Sequence, residues 1–214
     1  MRSVSDYRAD VLTIVGDAAG RRYSESILDM GLREALGEYR KYYPRKELIR
    51  TRVTGFEAGG KSAVVPWLLD ASAEVLSVRS ETDGEELNAA CYAEPGRLII
   101  TSPWKTFRMD EVLRITVSVP HMVKGLDEAK QTTVPDSHAL SLATGAAGYA
   151  MRIRARSVTE VFGKRPEDRE ALSHQADGLI ADFTRRVEKI ALHESFQRDP
   201  YPRKSVHIRQ GDGS

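Results

Sequence analysis

The sequence predicts an α+β fold, with a helical hairpin and C-terminal helices flanking an inserted antiparallel β-sheet or sandwich. Three observations predict it. Apolar residues recur at helical spacing before residue 44 and again after residue 136. Between those zones the pattern changes to short alternating runs. Turn signals separate the runs, and no helical stretch lies between them, which argues against βαβ units.

The first helix is expected over residues 5–17, where Tyr7, Val11, Ile14 and Val15 share a face and Gly16, Ala19 and Gly20 end it. Ser24 is a fitting N-cap for the second. Its stripe is Ile27, Leu28, Leu32, Ala35, Leu36, Tyr39 and Tyr43, and Pro44 stops it. Strands follow around Leu48–Thr54, Ala63–Val65, Ala73–Arg79, Leu87–Ala93, Leu98–Thr101 and Val112–Val119. Asp83-Gly84 and Pro95-Gly96 supply turns between them. Helices return at Val134-Pro135-Asp136-Ser137, where proline restricts the approach and Asp or Ser can cap. The next stretch is rich in small residues, Ala139, Ala143, Gly145, Ala146, Ala147, Gly148 and Ala150. They let another helix approach closely, either from the same chain or from another subunit. A last helix starts near Pro166 and carries the stripe Leu172, Ala176, Leu179, Phe183, Val187 and Ile190. The expected organisation is helices over 1–46, a β subdomain over 47–133, helices over 134–193 packing on the first pair, and an extended arm over 194–214.

Composition narrows the function. The 214 residues hold 32 Lys+Arg against 31 Asp+Glu, a formal net charge of +1. A surface that attracts nucleic acid all over is therefore excluded, while a local basic patch is not. Cys91 is the one cysteine, so no internal disulfide forms and a reducing compartment is expected. The first residues lack the apolar core of a signal peptide, and no apolar run is long enough to span a bilayer.

One phosphate-binding pattern stands out. Gly55-Phe56-Glu57-Ala58-Gly59-Gly60-Lys61-Ser62 matches G-x-x-x-x-G-K-[ST]. In a P-loop, Gly60, Lys61 and Ser62 would hold phosphate and magnesium, making the chain a nucleotide-binding enzyme. That chemistry needs a helix opening at the lysine. Here Pro66 falls where the helix would run, and Ala63-Val64-Val65 reads as strand. A glycine-rich hairpin turn is the expected structure, with phosphate binding as the alternative.

Other chemistry is sparse. His121, His138, His174, His193 and His207 show no zinc-type spacing with a carboxylate partner, and no metal or cofactor is assigned. Cys91 lies in an apolar run and reads as a buried, inert thiol. Glu85-Glu86 and Asp110-Glu111 read as solvated turns, since neighbouring strand residues point to opposite faces. Arg40, Lys41, Arg45 and Lys46 interleave with Tyr39, Tyr42 and Tyr43. They could grip phosphates as a nucleic-acid module, but cations at a helix C-terminus with tyrosines packed inward explain them more simply. In the tail, Val206 and Ile208 with Lys204, His207 and Arg209 alternate enough for an arm that adds as a strand to a partner.

The order of parts resembles the head–tail connector (adaptor) proteins of tailed bacteriophages and gene transfer agents. The resemblance rests on Tyr23-Ser24-Glu25-Ser26-Ile27-Leu28 through Leu32, Ala35, Leu36, Glu38 and Tyr39, closed by Pro44. Its second piece is Val134-Pro135-Asp136-Ser137-His138-Ala139-Leu140, leading through Ala147-Gly148-Tyr149-Ala150 to Arg152 and Arg154. It covers most of residues 5–192. It implies a structural virion protein and no enzyme: a ring, commonly dodecameric, beneath the portal protein, with a tail or stopper protein beyond. DNA would pass through the lumen without being read, and no membrane is involved. The implied location is the virion neck, and the host cytoplasm during assembly. It implies that the C-terminal arm docks on the portal, here through Phe196, Tyr201, Arg203, Lys204, Val206, His207, Ile208 and Arg209. The β region is longer than in compact all-helical adaptors.

Overall fold

The computed structural model describes residues 2–57, 60–67, 69, 73–158 and 166–198. It has the α+β architecture the pattern predicts, built around two hydrophobic cores, one helical and one between two sheets.

Helix α1 (Val4–Ile14) ends at Gly16, whose φ of 65° is the left-handed value that glycine tolerates. Asp17 then organises the turn. Its buried carboxylate accepts backbone N–H groups from Arg21, Arg22 and Tyr23 at 3.2, 2.7 and 3.1 Å. Helix α2 (Glu25–Tyr42) starts at Ser24, whose Oγ accepts from Ile27 N. Its stripe is buried from Leu28 to Tyr39.

Strands β1 (Arg45–Arg52), β8 (Val112–Val119), β4 (Glu74–Ser80) and β5 (Glu86–Leu87) form one antiparallel sheet in that spatial order. Strands β2 (Gly55–Glu57), β3 (Ser62–Pro66), β7 (Arg97–Thr101) and β6 (Ala90–Glu94) form the other. The expected single strand over residues 87–93 is two strands, because the chain leaves the first sheet after Leu87 and joins the second at Ala90. Val78, Leu113, Ile115 and Val117 from the first sheet and Ala63, Val65, Leu98 and Ile100 from the second are buried in one core, with Trp67 and Phe107 closing it.

A 3-10 turn (Asp136–His138) opens helix α3 (Ala139–Val158), and helix α4 spans Pro166–Arg198. The small residues of α3 serve this chain's own packing. Val11, Leu32, Ala35, Leu142, Ala146, Ala150, Met151, Phe183 and Val187 share the helical core. Val123, Leu126 and Val134 belong to it as well, so the segment after β8 packs with the helices and not with the sheets. Helix α4 runs on through residues 194–198, which were expected to begin the arm.

Candidate functional site

The phosphate-binding pattern folds as a hairpin. Strands β2 and β3 pair antiparallel, with Glu57 opposite Ser62 and Gly55 opposite Val64. Gly60 takes φ 84°, and its carbonyl accepts Phe107 N while that of Lys61 accepts Ser102 N, both at 3.1 Å. Ser62 is buried, and its Oγ lies 2.9 Å from Thr101 Oγ1 on β7. A P-loop requires a helix N-terminus after the lysine. A strand, Ser62–Pro66, stands in its place, so Gly60, Lys61 and Ser62 lack the helix N-terminus on which a P-loop cradle is built.

The basic-aromatic segment is absorbed by packing. Tyr39 is fully buried. Arg40 donates from Nε to Ser118 Oγ at 3.0 Å and from Nη2 to the Ser118 carbonyl at 2.7 Å, tying α2 to β8. Lys41 pairs with Glu38 at 2.6 Å, and Arg45 pairs with Glu47. Of the four cations, Arg40 and Lys46 pair with no carboxylate among the described residues, and Arg40 is spent on Ser118 instead.

Two histidines meet two tyrosines where the helices join the sheets. Tyr39 Oη and His138 Nδ1 lie 2.6 Å apart. His121 Nε2 is 2.8 Å from the Tyr43 carbonyl, which can only accept, so that nitrogen carries the proton. The His121 ring stacks on Tyr43 and meets Tyr39 edge-on at 5.0 Å. Burial disfavours its charged form and pulls its pKa down.

Glu111 departs from the solvated turn expected for it. Its side chain is 3% exposed, because Lys105 Nζ at 2.7 Å, Ser80 Oγ at 2.6 Å and Arg108 N at 3.1 Å enclose it. Those hydrogen bonds outweigh the burial that opposes ionisation, and the pKa lies below the usual carboxylate range. Sequence spacing could not show this, since Ser80 and Lys105 come from distant segments. The same network flanks a cleft of about 390 Å³ whose lining includes Trp104, a residue 85% exposed. Cys91 is half-buried, and desolvation raises its thiol pKa.

The positions expected to bind a portal lie at the edge of what is described. Phe196 falls within the last turns of α4. Tyr201, Arg203, Lys204, Val206, His207, Ile208 and Arg209 lie outside the described residues. No protein-family model and no curated protein matches the chain. Among the described residues no cluster of His, Cys, Asp or Glu could hold a metal ion, and no helix is long and apolar enough to cross a membrane.

Proposed function

We propose that the chain is the subunit of a ring-shaped head–tail connector adaptor, joining a portal protein to a tail or stopper protein and letting DNA pass through its lumen. One observation carries this reading: a capped helical hairpin, a β insert, a helix begun after Pro135 and a long final helix follow one another in the order the resemblance names. The sequence continues past Arg198 to Val206 and Ile208 alternating with His207 and Arg209, which suits an anchor that docks as an added strand. Because α3 spends its small-residue face on α2 and α4, contacts between subunits use other surfaces. A head-to-tail contact of that kind closes into a ring when its rotation permits.

The test is particle mass by light scattering, with electron microscopy, for the full chain alone and with a portal protein. Rings that need residues 195–214 to hold the portal support the reading. A chain that stays monomeric with portal present, and behaves identically when truncated at Ser195, overturns it.

A further inference from the structure

The outer face of the first sheet carries a lateral row of arginines that the sequence does not reveal. Arg50 on β1 is directly opposite Arg114 on β8, and Arg114 is directly opposite Arg79 on β4. The three side chains are 69%, 54% and 57% exposed. Both cross-strand contacts in this row are therefore like-charged, an arrangement that disfavours the fold. Two carboxylates answer it in part. Glu81 takes Arg50 Nε and Nη2 at 3.0 and 2.7 Å, and Arg114 Nε at 2.5 Å. Glu86, opposite Arg79 at the far end, comes only to 3.8 Å. A guanidinium has five N–H donors, and Arg114 spends one on Glu81. Lys46 and Arg52 extend the exposed face of β1 and pair with no carboxylate among the described residues. Among the described residues, Glu74 is the one further acidic side chain that the register places on this face, opposite Ser118.

We propose that this face binds the phosphate backbone of duplex nucleic acid without reading its bases. Three observations favour that occupant. The cations in the row are arginines, whose planar forks match phosphate oxygens two at a time. Successive strands place them about 4.8 Å apart in a straight line. Duplex DNA offers one negative charge per roughly 1.7 Å of axis, so it meets such a row in any register, whereas an acidic peptide must match it. The inference stands apart from the connector reading and holds for a monomer as for a ring.

The experiment follows the anisotropy of a fluorescein-labelled 30-base-pair duplex titrated with the full chain between 50 and 200 mM NaCl. Expected are binding that weakens steeply with salt and equal affinity for two unrelated sequences. The Arg79→Gln/Arg114→Gln variant should bind at least tenfold more weakly at 50 mM salt, with a log–log salt slope flatter by about 2. Its melting temperature should be unchanged or higher, because two like-charged contacts are gone. If the double variant fails to fold, Arg79→Gln alone should still weaken binding severalfold. A Arg185→Gln/Lys189→Gln control on α4 should bind as the parent chain does. Absence of binding at 50 mM salt, an unaltered double variant, an equal loss in the control, or displacement of the DNA by poly-glutamate at equal charge would each overturn the proposal.

Discussion

Phe183 lies flat against Gly145: a first side-chain carbon on that glycine would sit 2.7 Å from the phenyl ring. Helices α3 and α4 touch there with nothing between backbone and aromatic face. Gly145→Ala should therefore destabilise the fold by about 1–3 kcal/mol through overpacking, despite alanine's better helix propensity. Gly37→Ala on the exposed face of α2, where nothing lies within 4 Å, should stabilise it by roughly 0.5–1 kcal/mol. Urea midpoints of the two variants should move in opposite directions.

His121 makes stability fall on acidification. Its pKa in the folded chain is below 6.5, because burial and the nearby cations Arg45 and Arg40 oppose charging. Below 6.5 the unfolded chain takes a proton that the folded chain refuses, so stability rises with pH through that range and is lost as pH drops. Thermal unfolding between pH 7.5 and 5.5 should show the loss, and His121→Gln should reduce its slope.

Glu111→Ala should cost about 2–4 kcal/mol, since Ser80 Oγ and the Arg108 amide lose a partner and Lys105 keeps only Asp83. Glu86→Ala, on an exposed pair 3.8 Å apart, should change stability by less than about 1 kcal/mol. Denaturant unfolding separates the two.

Lys61→Ala should leave stability within about 0.5 kcal/mol, as its side chain is exposed and the turn is held by backbone bonds. Ser62→Ala should cost about 1 kcal/mol, because Thr101 Oγ1 on the neighbouring strand loses its partner. Calorimetry on both variants checks the pair. A nucleotide-dependent rise in melting temperature that Lys61→Ala abolishes would contradict the hairpin reading.

The helices were legible because their signals are local. Ser24 caps, Pro44 stops, and the stripe from Leu28 to Tyr39 follows a single period. Pro66 was enough to set a strand against the phosphate-binding pattern, since proline acts on the residues beside it. The split at Asn88 was hidden, because changing sheets leaves the alternation on either side intact. Glu111 and the arginine row were hidden for a different reason. Ser80 with Lys105, and Arg50 with Arg79 and Arg114, become neighbours only through strand order and register. Whether the small face of α3 served this chain or a neighbour was likewise undecided until Gly31, Gly145 and Gly148 were seen against α3 and α4.

The strand that leaves the helices begins beside the end of the strand that returns to them, with Arg45 opposite Val119. The sandwich thus hangs from a doorway one ladder rung wide. A short turn joining those two positions would close the helical unit on itself, so a chain with the β insert replaced by such a turn is expected to keep the helical core.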